Sequence, residues 1–382
     1  MDNIKQNLIL GALIADAATL GLHWIYEQQR IFDVAGKTPE FHPPTKSDYE
    51  GVPSFFAHGK KSVGDWSHYG EQAFVLLNAI ANNNGKYNKA EYQDAFRASF
   101  SYGGDYVGYI DRPTKDTLDN ITLIEHGVLQ QANALPLNND NEVKQNVISL
   151  AMAKIKQTNS ITTAELQDSI SSELSLELSL ELKPQYLDNL LSCLSPLLNY
   201  QGADDVQLPA ISKLPALAAV YANQSELSQH TESAVRVTNN NDHAVSYGQI
   251  ASKMMAAAIT TQNIDSVTEA GRQAATPDIL LLINNALKAS DKTTPEFTKQ
   301  IGMSCNLELG IPSVFHSLNQ HSSYQDAIRQ NCLAGGDSCG RSILLGAILG
   351  AVHGIGTEKG IPTAWHEKLN QKHSIAQLMA AL

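Results

Sequence analysis

The stretch Gly335-Gly336-Asp337-Ser338-Cys339-Gly340-Arg341-Ser342, followed by an apolar run that ends at His353-Gly354, decides the fold of this chain. Two glycines, then polar residues, then an apolar run predict a loop that leads into a buried helix. Asp337 and Ser338 are suited to cap the free N–H groups at the start of that helix. We therefore expect any functional groups in this turn to be rigidly held.

The helix that follows should pack very closely against a neighbour. Gly346, Gly350 and Gly354 recur at every fourth residue and so lie on one face, with Ala347 and Ala351 beside them. Small residues on one face allow a second helix backbone to approach. The segment is thus predicted to lie in the middle of the fold.

Composition narrows the class of protein. The chain has 382 residues, with 27 Lys+Arg against 39 Asp+Glu and a formal net charge of −12. We find no dense basic cluster, so a nucleic-acid partner is not expected. The apolar runs are shorter than the roughly 20 residues that a membrane-spanning helix needs, so no membrane partner is expected. The length is sufficient for a sizeable core, and we predict a single domain over residues 1–382.

The cysteines and the first residues bear on location. Four cysteines without CxxC spacing are typical of reduced thiols, and the start of the chain shows neither a basic segment nor a cleavage site of the secretory type. We therefore expect a soluble cytoplasmic protein without a signal peptide.

Most of the remaining sequence predicts helices. Residues 8–26 are apolar on all faces except for Asp16 and His23, which indicates a buried helix whose aspartate needs a partner. Residues 29–64 are rich in Pro, Gly, His and aromatics, and we expect an ordered loop that covers a site. The polar stretch Gly64–Gln72 should open a second helix and form its first turn. Further helices are predicted at 89–102, 117–133, 141–157, 186–199, 209–222, 243–261, 264–274, 278–288 and 322–333.

One segment differs from this pattern. Residues 173–182 alternate Glu or Ser with Leu, which is a strand pattern. Glu and Leu are good helix formers, and a single strand has nothing to pair with, so we interpret the repeat as a low-complexity insertion. The fold class predicted for the whole chain is all-α.

Three polar segments carry a resemblance to a known family. Ala15-Asp16-Ala17-Ala18-Thr19, Ser67-His68-Tyr69-Gly70 and Gly335–Gly340 resemble the Gly-Asp-Ala-Leu-Gly, Thr-Asp-Asp-Thr and Gly-Gly-Asp-Thr-Asp-Thr motifs of the ADP-ribosylglycohydrolase family. The resemblance extends over nearly the whole chain. Leu22-His23-Trp24-Ile25-Tyr26 and Tyr69-Gly70-Glu71-Gln72 are most similar to the branch that contains the J-type lens crystallins. The family's fold, a large orthogonal helical bundle with the three motifs around one cleft, is what the resemblance implies here.

The departures from the family motifs concern its metal site. The resemblance implies two magnesium ions held by carboxylates and threonine, because Mg²⁺ prefers hard oxygen ligands. The matching positions here are Ser67, His68 and Tyr69, then Asp337, Cys339 and Gly340, so one carboxylate of four is kept. His23 stands where the family has a glutamate, and Glu27 is one turn further on. We therefore expect the magnesium site to be largely lost, and we predict no cofactor and no metal ligand.

Several alternatives stay open for the residues that remain. Arg341 lies four residues after Asp337, so it could pair with Asp337, or, with the N–H groups of the helix start, hold a phosphate or carboxylate of a ligand. A zinc site of His68, Asp337 and Cys339 is a third possibility. Cys339 could be a nucleophile with His68 as its base, or a buried, inert thiol.

The same weighing applies to the other candidates. Glu71 could act as a general acid or base beside His68, or only interact with the helix dipole. His23, Trp24 and Tyr26 could stack on a nucleobase or ribose, or be core aromatics. We further expect Asn240-Asn241-Asp242 to cap the next helix. The remaining candidates for ligand contacts are Asp16, Ser67, Tyr69, Gly335, Gly336, Ser338, Cys339 and Arg341.

Two functions of different classes follow from the residues and the resemblance. The first is a divergent hydrolase of a glycosidic bond in ADP-ribose or a related nucleoside, with Asp337, His68 and Glu71 as acid–base residues. The second is a catalytically silent ligand-binding or structural protein, similar to a crystallin, on the same fold. In both cases the expected partner is a small nucleotide or an ADP-ribose-like molecule.

Overall fold

A computed structural model describes residues 2–136, 141–157, 168–172, 183–198 and 201–382. Within these ranges the chain is helical, with isolated β-bridges and no β-strand, which confirms the all-α prediction. The α-helices are α1 (Asn3–Thr19), α2 (Gln28–Ala35), α3 (His68–Asn82), α4 (Lys89–Phe100), α5 (Arg112–Ala134), α6 (Asn141–Gln157), α7 (168–172), α8 (Pro184–Leu194), α9 (Pro209–Ser212), α10 (Pro215–Tyr221), α11 (Leu227–Arg236), α12 (Asp242–Thr261), α13 (Ile264–Ala274), α14 (Pro277–Lys288), α15 (Thr294–Ile301), α16 (Leu307–Gln320), α17 (Tyr324–Ala334), α18 (Ser338–His353), α19 (Thr363–Lys368) and α20 (Lys372–Ala380). Short 3₁₀ turns occupy Leu20–Leu22, Lys46–Tyr49 and Ser195–Leu198.

The fold is built around one antiparallel pair of helices, α1 and α18, whose mutual contact is the most extensive in the structure. Their backbones touch through glycine. A Cβ atom placed on Gly346 would lie 2.4 Å from the carbonyl oxygen of Gly11 and 2.4 Å from the Cβ of Ala15. A Cβ on Gly350 would lie 2.4 Å from the carbonyl oxygen of Asn7. This confirms the close packing predicted from the glycine spacing.

The antiparallel pairing has a direct consequence for the polar residues. It brings the C-terminal end of α1 beside the N-terminal end of α18, where the hydroxyl of Thr19 lies 3.3 Å from the Cys339 sulfur. The pair is surrounded by α3, α10, α12, α16 and α17. Both helices are buried over most of their length, and this is why their apolar residues occupy all faces.

The first helix is shorter than its pattern predicts. Residues 8–26 were expected as one helix, but α1 ends at Thr19 and a 3₁₀ turn follows. The loop around His42 passes so close that a Cβ on Gly21 would lie 1.7 Å from the His42 carbonyl oxygen. Trp24 then adopts the left-handed conformation, with φ +65°, and its N–H donates to the carbonyl oxygen of Gly336 at 2.9 Å. His23, Trp24 and Tyr26 therefore do not share a helix face.

Other predicted elements differ in detail. The loop predicted at 29–64 contains α2 and the 3₁₀ turn Lys46–Tyr49. The helix predicted at 209–222 is two helices, because Pro215 lacks an N–H and cannot donate the backbone hydrogen bond that would continue the helix. The remaining predicted helices are confirmed with end shifts of a few residues, and α13 matches its predicted bounds. Sequence reasoning missed α7, α11, α15, α16, α19 and α20. The repeat at 173–182 lies outside the described residues.

A second apolar cluster lies apart from the main core. It is formed by α5, α6, α7 and α8, with Val128, Val147, Ile170 and Leu190 among its buried members. The single domain over 1–382 stays a prediction. A search of the described residues shows no helix that has both the length and the hydrophobicity to cross a bilayer.

The glycine contact between α1 and α18 can be tested by adding one methyl group. We expect Gly346→Ala to lower the free energy of unfolding by about 3 kcal/mol or more, because the new Cβ meets backbone atoms that cannot rotate away. Gly127→Ala on α5 is the matched control, since nothing lies within 4 Å of its Cβ position and alanine favours a helix. Urea denaturation of both variants checks the prediction; equal stabilities would contradict it.

Candidate functional site

Three segments meet at the end of the α1–α18 pair: the C-terminal part of α1 with the turn after it, the start of α3 and the start of α18. Asp16 connects the first two. Its carboxylate accepts hydrogen bonds from the N–H of Ser67 at 2.6 Å and from the Ser67 hydroxyl at 2.7 Å. Burial raises the pKa of Asp16 to about 7, against the opposing effect of these bonds. Asp16 thus has the partner that its sequence context requires, and Ser67 also caps α3.

Asp337 is the buried carboxylate at the centre of this arrangement. It is the N-cap of α18, where its Oδ1 accepts the N–H of Gly340 at 2.9 Å. Its Oδ2 accepts a short hydrogen bond from the hydroxyl of Tyr69. Burial raises the pKa of Asp337 to about 6, although the bonds from Tyr69 and Gly340 favour the ionised form. The carboxyl group therefore populates both protonation states near neutral pH.

Three imidazole rings form a cluster, and one of them, that of His23, lies beside Asp337. The ring centroids of His23, His58 and His68 are 5.3 to 6.4 Å apart. The Nδ1 of His23 accepts the N–H of Cys339 at 3.2 Å, so the proton of the neutral ring is on Nε2, 3.8 Å from the Oδ1 of Asp337. Burial lowers the pKa of His58 and of His68 to about 3. All three rings are therefore neutral at physiological pH.

Sequence reasoning missed Asp111, which joins the same cluster through His68. It caps α5 by accepting the N–H of Thr114 at 2.7 Å, and it also accepts the side-chain amide of Gln72 at 2.8 Å. The Nε2 of His68 lies 3.5 Å from its Oδ2. Burial raises the pKa of Asp111. The sequence Asp111-Arg112-Pro113 predicts a helix cap, but it gives no signal that Asp111 contacts His68 in another segment. His58 was also missed, although its loop was expected to cover a site.

Aromatic rings and a thiol surround the more exposed side of this cluster. The ring of Trp24 lies 4.8 Å from that of Tyr109 and 5.6 Å from that of Phe55. Burial, followed by the charge of a nearby carboxylate, raises the pKa of Tyr26 and of Tyr109 to about 12. The pKa of Cys305 is raised to about 12 by burial and then by Asp337. Phe55 is exposed, Tyr26, Tyr109 and Cys305 are half-buried and Trp24 is buried, so together they form the outer side of the buried cluster.

Arg341 does not take the place that the sequence suggested. It is only 2 % exposed, and its side chain runs to α17, where Nε donates to the Asn331 side chain at 2.8 Å and Nη2 to the carbonyl oxygen of Gly335 at 2.6 Å. No ion pair joins Arg341 to Asp337, both of which the structure describes. The two side chains thus make no direct ion pair, although the charge of Asp337 still acts on the guanidinium and favours its protonated form. The reason is that Asp337 is the helix cap and turns its carboxylate back onto its own helix start.

The N–H groups of this turn are also occupied. Each one from Gly335 to Arg341 donates to an acceptor of the protein, respectively Cys332 O, Ile25 O, Met303 O, Gly336 O, His23 Nδ1, Asp337 Oδ1 and Asp337 O. The two glycines adopt positive φ because backbone passes beside them: a Cβ on Gly336 would lie 2.2 Å from the Met303 carbonyl oxygen. The hypothesis of an anion held at this helix start by Arg341 and free N–H groups is not supported.

Two further predicted residues have structural surroundings. Cys339 is fully buried, its sulfur accepts the hydroxyl of Thr19, and burial raises its pKa well above the usual value, so the structure favours the inert thiol over the nucleophile. Glu71 accepts the indole N–H of Trp66 at 2.8 Å and the hydroxyl of Ser99, and it does not bond His68. Acid–base action by Glu71 stays a prediction that no contact supports.

The donor set does not fit the two magnesium ions of the family. Among the described residues, no three His, Cys, Asp or Glu side chains are placed to hold a metal ion. Tyr69 uses its hydroxyl on Asp337, and Cys339 is a protonated thiol turned to α1. The zinc set of His68, Asp337 and Cys339 is likewise not formed.

Asn241, as expected, caps α12.

Fold, motif positions and sequence agree on the class. The sequence pattern that defines the ADP-ribosylglycohydrolase family matches residues 6–382, so the chain belongs to that family. A solved structure described as an ADP-ribosylglycohydrolase-related protein complex has a similar fold, with a TM-score of 0.54 and 13 % identity over 99 % of this chain and 97 % of the other.

Within the family, the chain is similar to two proteins named as crystallins. Crystallin J1A of Tripedalia cystophora is 23 % identical over 373 residues, which cover 97 % of this chain and 92 % of the crystallin. Crystallin J1B of the same organism is 22 % identical over 359 residues, 94 % of this chain and 89 % of the crystallin. The resemblance seen in the sequence motifs is thereby confirmed.

The buried Asp16 should make stability depend on pH. Its folded pKa of about 7 exceeds the unfolded value of 3.8, so folding binds a proton, and this contribution to stability is lost as the pH rises from about 4 to 7. We expect Asp16→Asn, which can still bond Ser67, to gain stability over the parent across this window, by up to about 4 kcal/mol. Urea denaturation at several pH values measures the difference; parallel curves would contradict the assignment.

Proposed function

We propose that this protein is a divergent member of its family whose cleft takes a ribosyl glycoside, of ADP-ribose or a related nucleoside, without the family's pair of magnesium ions. One observation supports this most. The hydroxyl of Tyr69, at a position where the family resemblance implies a metal-binding carboxylate, donates to Asp337, the one carboxylate that is kept. A phenol and a neutral imidazole thus surround a carboxyl group that elsewhere would bind a cation.

The geometry supports acid–base chemistry at a glycosidic bond. A carboxyl group with a pKa of about 6 can protonate a leaving group near neutral pH, and Asp337 has this property. Asp111 supplies a second carboxylate, with His68 beside it, for the proton of an attacking water. In this scheme the bond from the ribose carbon to the leaving atom breaks, Asp337 donates a proton to that atom, and water adds to the sugar.

A second function is favoured by a different observation. The relatives similar to this chain over nearly its full length are named crystallins. A protein that keeps the fold and the cleft but does not turn over a substrate would also fit the altered motif positions. We therefore carry a silent binding or structural role as the alternative. Measured binding without turnover would favour it.

The role of Asp337 as general acid can be tested by measuring turnover of ribosides that release a chromogenic or fluorescent group. We expect activity to persist in EDTA, and Asp337→Asn to lower kcat/KM by about 10²- to 10⁴-fold, the usual contribution of a general acid. Asp119→Asn, an exposed carboxylate on α5, is the control. Activity that requires added Mg²⁺ would refute the proposed chemistry. If turnover with the protein equals that in buffer alone, the catalytically silent function remains.

Tyr69→Phe gives a prediction with a defined direction. Its hydroxyl stabilises the ionised form of Asp337, so removing the hydroxyl should raise the pKa of Asp337 above about 6. The limb of the pH profile that reports the protonated acid should then move to higher pH, while the thermal unfolding temperature is kept within a few degrees. A profile that moves to lower pH, or does not move, would contradict the role of Asp337 as acid.

A further inference from the structure

The turn between α3 and α4 contains the one Asn-Gly pair of the sequence, Asn84-Gly85. Asn84 is exposed and has a positive φ of +53°, and Gly85 follows with a φ of +75°. Glycine and asparagine adopt this left-handed conformation more easily than other residues, which suits the pair to a turn that ends a helix. The same choice of residues places a side-chain amide next to an unhindered backbone nitrogen.

An Asn-Gly pair can lose ammonia without an enzyme. The backbone nitrogen of Gly85 loses its proton to hydroxide and attacks the side-chain carbonyl carbon of Asn84. A C–N bond forms, and the side-chain amide nitrogen takes a proton from water and leaves as ammonia. Water then opens the resulting five-membered imide at either carbonyl group, which gives aspartate or isoaspartate. Glycine lacks a Cβ, so it hinders this attack less than any other residue.

The folded structure withholds the attacking nitrogen. The N–H of Gly85 donates to the carbonyl oxygen of Ile80 at 2.9 Å, just beyond the end of α3. Asn83 fastens the same turn, since its N–H donates to the carbonyl oxygens of Ala79 and Ile80 and its Nδ2 donates to that of Lys86 at 3.0 Å. The nitrogen of Gly85 cannot attack until its own bond opens, because the proton that must leave is held in that bond.

We propose that Asn84 is a deamidation site whose rate in the native protein is set by local opening of the turn after α3. The turn protects Asn84 while it is closed, and exposed helix ends open locally far more often than the whole protein unfolds. This inference is independent of the proposed function, because Ser67, His68 and Tyr69 lie at the other end of α3.

The two products differ in their effect on the fold. Aspartate keeps the backbone and tolerates the left-handed region. Isoaspartate lengthens the backbone by one carbon between α3 and α4, yet the chain must still place Tyr87, whose N–H donates to the hydroxyl of Tyr221 at 2.9 Å. We therefore expect the isoaspartate form to unfold at a lower temperature than the Asn84→Asp variant. Equal unfolding temperatures would contradict this effect of the longer backbone.

Peptide mapping of the full chain, kept at mildly alkaline pH with and without guanidinium chloride, measures the conversion of Asn84 and separates the two products. We expect the folded chain to convert Asn84 at least about 10-fold more slowly than the unfolded chain. Asn83→Ala removes the side-chain bond to Lys86 and should speed conversion in the folded chain several-fold. Asn82→Ala is the matched control, since it removes an exposed side-chain bond to Asn78 one residue earlier and should leave the rate unchanged.

Three results would overturn the inference. Equal conversion rates with and without guanidinium chloride would mean that the turn does not protect Asn84. Faster conversion of another asparagine in the unfolded chain would mean that the assigned site is wrong. Equal rates for the Asn83→Ala and Asn82→Ala variants would mean that opening of the turn does not limit the reaction. Circular dichroism of each variant verifies folding. None of these outcomes bears on turnover by Asp337, so the inference can fail while the proposed function stands.

Discussion

The contact of glycine backbones between α1 and α18 is the constraint on which the rest of the structure depends. With Gly11, Gly346 and Gly350 in direct contact with the opposite backbone, the two helices can adopt only one register. That register places Thr19 beside Cys339 and so sets the ends of both helices against one another. The start of α3 joins them through Asp16, whose two oxygen atoms both bond Ser67. The contacts that join Asp16, Ser67, Thr19 and Cys339 are thus a result of core packing.

The same packing also shifts the pKa values of the buried carboxyl groups at the candidate site. Close helices exclude water from Asp16, Asp337 and Asp111, and burial disfavours the charged form of each carboxyl group. Neutral donors, namely a serine, a tyrosine and backbone N–H groups, provide the hydrogen bonds that these groups need. The family resemblance implies that divalent ions organise the corresponding region in other members of the family. Here hydrogen-bond donors of the chain itself do that work, while burial raises the pKa of Asp16 to about 7 and that of Asp337 to about 6, and also raises the pKa of Asp111.

Much of the fold could be predicted from the sequence because its signals are local. The glycine spacing in α18, the cap at Asp337 and the bounds of α13 depend on residues that are close along the chain. The failures have a common cause, which is that distant segments decide the local outcome. The loop at His42 ends α1 early. Asn331, on another helix, binds Arg341 and holds it away from Asp337. Asp111 and His58 join the cluster from segments whose sequence spacing does not predict this contact.

Trp24 lies at the candidate site, so its fluorescence can report ligand binding there. The chain has three tryptophans, and the other two, Trp66 and Trp365, are packed in the core, where Trp66 bonds Glu71 and Trp365 contacts Phe41. The Trp24 ring lies 5.7 Å from His68 and is bordered by Tyr109. A molecule that enters the cleft changes the surroundings of one indole in three. Intrinsic fluorescence sums the three indoles, so the change on ligand addition that Trp24→Phe removes reports the surroundings of Trp24.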